Sequence, residues 1–173
     1  ASDVYKRQVV SERILSVLVE DKPGVLARVS STISRRGFNI KSLSVGPTHI
    51  EGRSKMTIVT ELDAVEQVKK QLNKLVNVIK IVELDPEMTI ETEVLLLKVS
   101  INKETQTSVI EKANLVGAKS VDVGQDYAIF ELTESSKELN KFEKLMKPFG
   151  IIEMVRGGSC LLYTSPSPRD SDS

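Results

Sequence analysis

A short loop between a predicted strand and a predicted helix carries the residues best suited to hold a small anion. The segment Asp-Lys-Pro-Gly-Val-Leu occupies residues 21–26, directly after the strand-like stretch 13–20. Backbone N–H groups at a helix start lack partners within the helix, and the helix dipole favours a negative charge there. The N–H groups of Gly24, Val25 and Leu26 could therefore bind a carboxylate, and Gly24 leaves room for a ligand because it has no side chain.

A second candidate is Asn39, which stands at the start of the second predicted strand, after Gly37. Its amide both donates and accepts hydrogen bonds, which suits an amino-acid zwitterion. The alternative is that Pro23-Gly24 is an ordinary helix entry and that Asn39 is a turn residue. Spacing alone favours this alternative, because capped strand-to-helix turns occur in most α/β proteins.

Residue counts exclude most catalytic and metal sites. The 173 residues include one His and one Cys, so neither a two-histidine site, nor an internal disulfide, nor a Cys-rich zinc site is available. His49 lies in a predicted loop, and Cys160 lies in a Ser/Pro/Asp-rich end with no evident base nearby. We therefore predict no catalytic residue and no metal ligand.

Charge and aromatic content argue against nucleic-acid and membrane partners. The 24 Lys and Arg residues balance 24 Asp and Glu residues, so bulk charge does not favour a polyanion. Aromatic residues make up 4% of the chain and Trp is absent, which leaves few stacking platforms for bases. No apolar run reaches the roughly 18 residues that span a bilayer. We expect a soluble protein of a reducing compartment, the cytoplasm.

The elements that would position the loop repeat one order twice. Apolar periodicity predicts strand, helix, strand, strand, helix and strand between residues 13 and 84, and the same order again between 93 and 158. Residues 85–92 are the predicted linker. This order is that of a ferredoxin-like unit. The predicted fold class is therefore α+β, with two tandem ferredoxin-like βαββαβ units whose helices lie on one face of each antiparallel sheet.

Polar residues at the helix starts predict the caps. Asp21 and Asp63 are the candidates in the first unit, and Asn102 and Ser135 are those in the second. Residues 1–12 and 159–173 lack periodicity, so we predict a leader and a tail that are disordered or non-native.

Each predicted sheet has one face without helices and has edge strands with unpaired backbone groups. Such faces and edges are commonly covered by a second copy of the chain. We therefore expect at least a dimer. The alternative is that the second unit covers the first.

The sequence resembles the small regulatory subunits of acetohydroxyacid synthase, also called acetolactate synthase, over residues 13–158. The runs that carry the resemblance are RILSVLVEDKPGVLARVSSTISRRGFNIKSLSVGPT, SKMTIVTE and QLNKLVNVIKIVEL. The resemblance implies that residues 13–84 form an ACT domain and that residues 93–158 form the C-terminal domain of that family.

In that family two ACT domains join edge to edge, and a feedback amino acid, typically valine, binds at the junction. The matching positions in this sequence are Asp21, Pro23, Gly24, Val25, Leu26, Asn39 and Ile40. The first five come from the loop of one subunit and the last two from its partner. Many members carry Asn where this chain has Asp21, so we rank Asp21 behind Gly24, Val25, Leu26 and Asn39.

The resemblance further implies a subunit that is not itself an enzyme. The family's large catalytic subunit carries thiamine diphosphate, Mg²⁺ and FAD, and it condenses pyruvate with pyruvate or 2-oxobutyrate. The small subunit raises that activity and confers inhibition by valine or another branched-chain amino acid. The implied partners are thus a second copy, the large subunit and the effector. The alternatives are an amino-acid-sensing ACT module of another system and a ferredoxin-like RNA-binding protein, although the latter should carry aromatics on its central strands.

Overall fold

The computed structural model describes residues 12–35 and 37–164, without the side chain of Leu62. The chain divides into two compact units. One contains the described residues up to Ile90 and those from Leu161 onward, and the other is Glu91–Cys160.

The first unit is a four-stranded antiparallel sheet with two helices. Its elements are β1 (Glu12–Glu20), α1 (Val25–Arg35), β2 (Ile40–Pro47), β3 (Arg53–Glu61), α2 (Val65–Asn73) and β4 (Val78–Leu84). The strand order is β2-β3-β1-β4, so β2 and β4 form the two edges. This is the ferredoxin-like arrangement that the sequence predicts.

The core of the first unit lies between the sheet and its helices. Alternate residues of β1 face the helices, and the apolar stripes of α1 and α2 cover them, as helical and strand periodicities require. The fully or nearly fully buried members are Leu15, Val17, Val29, Ile33, Met56, Ile58, Val68 and Leu72. Each such aliphatic side chain contributes about 1.5–3 kcal/mol by burial, so this layer holds the end of β1 and the start of α1 in place.

The second unit repeats the arrangement. Its elements are β5 (Thr89–Ser100), α3 (Gln106–Leu115), β6 (Lys119–Val123), β7 (Tyr127–Glu134), α4 (Ser136–Met146) and β8 (Ile151–Arg156). The strand order is β6-β7-β5-β8, and a ninth strand, β9 (Cys160–Tyr163), also pairs with β5. Its core is aliphatic apart from Phe130 and Phe142, whose rings meet edge to face with centroids 6.1 Å apart. The prediction of two ferredoxin-like units is confirmed.

Two predicted boundaries differ from the structure. The predicted linker 85–92 is wrong from residue 89 onward, because only Pro86–Met88 forms a 3-10 turn and β5 already begins at Thr89. The predicted tail 159–173 is wrong for the residues of β9, which pair with β5. Residues 165–173 of that tail lie outside the described residues. So does the predicted leader, except Glu12, the first residue of β1.

Local capping explains where one helix of the second unit begins. Ser135 Oγ accepts the N–H of Glu138, which confirms the predicted cap of α4. Asn102 Oδ1 accepts the N–H groups of Glu104 and Thr105 at 2.9 Å each in the turn that precedes α3, but the cap position of α3 itself is Thr105, so the prediction that Asn102 caps this helix is wrong.

The caps predicted in the first unit are wrong. Asp63 lies inside a 3-10 turn, and Ala64, whose side chain cannot accept a hydrogen bond, occupies the cap position of α2. Asp21 lies four residues before the first residue of α1, and its backbone N–H donates instead to the C=O of Gly52. The residue at which a helix starts depends on the geometry of the preceding turn. The residue types alone did not predict that geometry.

Candidate functional site

Residues 21–26, which comprise the loop after β1 and the first two residues of α1, are called the entry loop below. Backbone hydrogen bonds hold it against the β2–β3 loop and against its own strand. The N–H of Asp21 donates to the C=O of Gly52 at 2.8 Å, and the N–H of Lys22 donates to the C=O of Glu20 at 3.0 Å. Pro23 and Gly24 are exposed at the tip of the loop.

Gly24 sets the geometry of the helix start. Its φ of +85° lies in the left-handed region that favours glycine, and its C=O accepts the N–H of Arg28 at 3.0 Å. A Cβ at this position would meet no heavy atom within 4 Å. The space in front of the helix start is therefore open.

Not every predicted N–H donor of the entry loop is available. The N–H of Val25 donates to the C=O of Lys22 at 3.3 Å, so the prediction that it is free to bind a ligand is wrong. Over residues 12–35 and 37–164, the structure gives the N–H groups of Gly24 and Leu26 no backbone acceptor. Two donors, one on either side of the bonded Val25 N–H, thus remain for an anion.

The apolar residues of the entry loop divide between core and surface. The side chain of Val25 is only 6% exposed and packs in the core of the first unit. That of Leu26 is 48% exposed. Leu26 can therefore contact a ligand, whereas Val25 holds the helix onto the sheet.

Asn39 and Ile40 lie at the opposite end of the same sheet. Ile40 pairs with Thr60, and Thr60 pairs with Arg13 at the beginning of β1. Glu20, where the entry loop starts, is seven residues further along β1. At about 3.3 Å per residue, the end of the sheet at Ile40 and the end at Glu20 are therefore about 23 Å apart. A single protomer therefore does not bring Asn39 to the entry loop.

The side chain of Asn39 is exposed, and its Nδ2 lies 3.4 Å from Glu61 Oε1. Its backbone C=O accepts the hydroxyl of Thr60 at 3.3 Å. Ile40 is half-buried and packs against the core. The backbone of Asn39 is thus held by Thr60, and its side-chain carboxamide remains accessible to a second molecule.

Four polar side chains lie in or beside the entry loop, and the sequence analysis assigned none of them to the site. Asn77 Nδ2 donates to Glu20 Oε2 at 3.3 Å, and Arg28 Nη1 donates to Asn77 Oδ1 at 3.0 Å. Lys22 Nζ lies 3.0 Å from Glu20 Oε2, and its hydrogen bond is the main cause that lowers the pKa of Glu20. The only sequence signal for Arg28 is its spacing of four residues from Gly24, and Asn77 had none.

The described residues offer little other chemistry. Among them there is no group of three or more His, Cys, Asp or Glu side chains that could hold a metal ion. Both His49 and Cys160 are exposed. Tyr127 donates a hydrogen bond to Asp122 Oδ2 at 2.8 Å, which raises the pKa of Tyr127. In the described range, no helix is both long enough and apolar enough to cross a membrane.

Comparison with known proteins gives a consistent result over both units. A family model described as an AHAS small subunit-like ACT domain matches residues 15–80, and one described as the small subunit of acetolactate synthase matches residues 92–164. The second match extends to the end of the described residues and includes β9.

Curated relatives match over most of their length. An acetolactate synthase small subunit of Mycobacterium bovis is 47% identical over 154 residues, which cover 88% of this chain and 92% of the relative. A probable acetolactate synthase small subunit of Archaeoglobus fulgidus is 46% identical over 146 residues, covering 83% and 91% respectively. Among solved structures, the acetolactate synthase small subunit of Thermotoga maritima superposes with a TM-score of 0.81 at 32% identity, covering 90% of this chain and 99% of that one.

Proposed function

The chain belongs to the family of acetolactate synthase small subunits, and from this membership we propose that it activates a catalytic subunit and makes that subunit sensitive to valine. The observation that carries the proposal is the match of both units to the family, with 47% identity to a curated small subunit. The open space at the helix start beside Gly24 supports the proposal, because it leaves room for an effector.

We propose a homodimer in which β2 of one first unit pairs antiparallel with β2 of the other. In the described residues β2 is an edge strand, so its outer backbone groups can accept a partner strand. Two-fold symmetry favours pairing of an edge with its own copy. The two first units would then share one continuous sheet.

The strand directions support a shared effector site. Strands β1 and β2 both run antiparallel to β3, so the end of β2 at Pro47 and the end of β1 at Glu20 lie at the same end of the sheet. Antiparallel pairing would bring the partner's β2 start, with Asn39 and Ile40, to that end. The proposed site therefore combines the entry loop of one protomer with Asn39 and Ile40 of the other.

The chemistry of that site suits a branched-chain amino acid. The N–H groups of Gly24 and Leu26, with the positive end of the helix dipole, would bind the effector's carboxylate. The carboxamide of Asn39 would accept a hydrogen bond from its ammonium group. The exposed side chain of Leu26 and the partner's Ile40 would contact its aliphatic side chain. The family positions Asp21, Pro23 and Val25 would shape the loop around it.

Regulation would act on the catalytic subunit and not through chemistry in this chain. We propose that the large subunit holds thiamine diphosphate, Mg²⁺ and FAD, that the small subunit holds no cofactor, and that both act in the cytoplasm. Effector binding across a dimer seam would favour one of two arrangements of the complex. A coupling free energy of roughly 1–3 kcal/mol between the sites would suffice for a substantial change in activity.

The test is reconstitution with an acetolactate synthase large subunit from the same source. Acetolactate formation is measured with the large subunit alone, with the added small subunit, and with the small subunit plus valine, leucine or isoleucine. The proposal expects activation on addition of the small subunit and inhibition of the activated complex by at least one of the three amino acids. Activity that does not change when the small subunit is added would reject it.

A further inference from the structure

One residue outside the proposed contact set connects the two ends of the entry loop. Asn77 directly precedes β4, and its side chain is half-buried. Its backbone C=O accepts the N–H of Glu20 at 2.9 Å, and its Nδ2 donates to Glu20 Oε2 at 3.3 Å. Its Oδ1 accepts from Arg28 Nη1 at 3.0 Å. Glu20 precedes the entry loop and Arg28 lies in the first turn of α1, so Asn77 ties both sides of the loop to the edge strand.

The Asn77 amide lies between two opposite charges. On one side is the Glu20 carboxylate, which also accepts a hydrogen bond from Lys22 at 3.0 Å. On the other is the guanidinium of Arg28. The backbone N–H of the same residue donates to the C=O of Gly24. The amide uses its donor toward the carboxylate and its acceptor toward the guanidinium, so its orientation is set. Exchanging the two ends of the amide would break both bonds.

We propose that Asn77 is a positioning residue of the effector site, which holds the Arg28 guanidinium beside the helix start that receives the effector's carboxylate. The inference rests on the proposed function and deepens it. A helix start carries only about half an elementary charge. A full positive charge held within its first turn therefore adds to the local attraction for an anion.

The arrangement also explains why Glu20 does not oppose an incoming carboxylate strongly. The negative charge of Glu20 is engaged by Lys22 and by the Asn77 amide. Without Asn77, the Arg28 side chain would lose its anchor, whereas Lys22 would still engage the Glu20 carboxylate. The loss of the Arg28 anchor would weaken the binding of an anionic group at the entry loop.

The experiment is calorimetric titration of the full chain with valine. The variants are Asn77→Ala, Arg28→Gln and the combination of the two, and the matched control is Asn73→Ala, an exposed asparagine in α2 of the same unit. Each single change is expected to lower the affinity about three- to tenfold, as the loss of one or two hydrogen bonds does. The double variant is expected to bind no more weakly than Arg28→Gln alone, because Asn77 acts through Arg28. The control should bind like the wild type.

Comparison of the two single variants with the double variant separates a positioning role of Asn77 from a general loss of structure. A merely structural role of Asn77 would give losses that add in the double variant, and additive losses would overturn the inference. Wild-type affinity in Asn77→Ala would also overturn it. If Asn77→Ala does not fold, the test uses Arg28→Gln, which changes an exposed side chain. Unchanged valine affinity in that variant rejects the positioning role of Asn77.

The same titration distinguishes this inference from the proposed function. If the folded wild-type dimer does not bind valine, leucine or isoleucine, the effector part of the proposed function fails and the role of Asn77 fails with it. If the wild type binds and the two single variants bind equally well, only the role of Asn77 is rejected.

Discussion

Gly24 and Asn39 lie at opposite ends of one sheet, although they are only fifteen positions apart in the chain. Gly24 follows the end of β1, whereas Asn39 precedes β2, which runs in the same direction as β1. Both cannot contact one small ligand within a single protomer. A site that uses both residues must therefore be shared between two chains, and for the proposed site dimerisation would be a condition for effector binding.

Gly24→Asp is expected to weaken valine binding strongly, while Gly24→Asn is expected to retain much of it. Asn and Asp are the non-glycine residues that best tolerate a positive φ, and a Cβ has open space there. The two variants therefore differ mainly in charge. A carboxylate at the helix start repels that of the ligand, and we expect a loss of about tenfold or more in affinity. Calorimetry measures the loss, and the activation of the large subunit should persist. Wild-type affinity in the Asp variant would place the site elsewhere.

Asn39→Ala is expected to weaken valine binding, and mixing it with Gly24→Asp should restore part of the binding. A mixed dimer has one site with both changes and one site with neither, if each site combines two chains. Random exchange of protomers would restore roughly a quarter of all sites. The measurement is the number of valine molecules bound before and after the two variants are unfolded and refolded together.

The control for this mixing is each variant refolded alone. Mass spectrometry of differently tagged chains demonstrates that mixed dimers have formed. If they have formed and the refolded mixture shows no recovery of valine binding, each site lies within one protomer.

Glu20→Gln is expected to make the free energy of unfolding decrease less steeply as the pH falls. The hydrogen bond from Lys22 is the largest cause that holds the pKa of Glu20 below its ordinary value in the folded state, followed by the Asn77 hydrogen bond. The ionised carboxylate therefore contributes stability above about pH 4–5, and this contribution disappears as the pH falls through the lowered pKa. Urea denaturation at pH 3 to 7 measures the slope, with the exposed Glu51→Gln as control. Parallel curves for wild type and Glu20→Gln would contradict the expectation.

Arg156→Met is expected to destabilise the second unit. Arg156 Nη2 lies 2.7 Å from Glu93 Oε1, and the Glu93 side chain is only 6% exposed. Removing the guanidinium leaves this buried carboxylate without its counter-charge, at a cost of about 3 kcal/mol. Replacing both residues, as Glu93→Leu with Arg156→Met, should recover much of the loss. Chemical denaturation measures the free energy of unfolding. A loss no larger than that of Lys141→Met, at an exposed ion pair, would count against the argument.

The elements could be predicted because each depends on residues that are close in the chain. The stripe of Val25, Val29 and Ile33 has helical spacing, and it is buried as one face of α1. The capping box at Ser135 is likewise a local pattern. The prediction failed at Asp63 because the residues before α2 form a 3-10 turn, whose geometry depends on where β3 ends. It also failed at the segment that forms β9, whose composition resembles a tail but whose backbone pairs with β5.

The amino-acid sequence by itself determined the two βαββαβ units and the glycine at the helix start, because periodicity and glycine content act over a few residues. The sequence also predicted Asn39 as an effector contact, from its amide chemistry and from the family resemblance, and Ile40 from the resemblance alone. Only the tertiary structure decided that these two residues lie a sheet length away from the entry loop. Only it joined Asn77 to Glu20, 57 positions away, and Arg156 to Glu93, 63 positions away. Such contacts follow from strand register and from the path of the chain between strands, and local patterns carry no information about either.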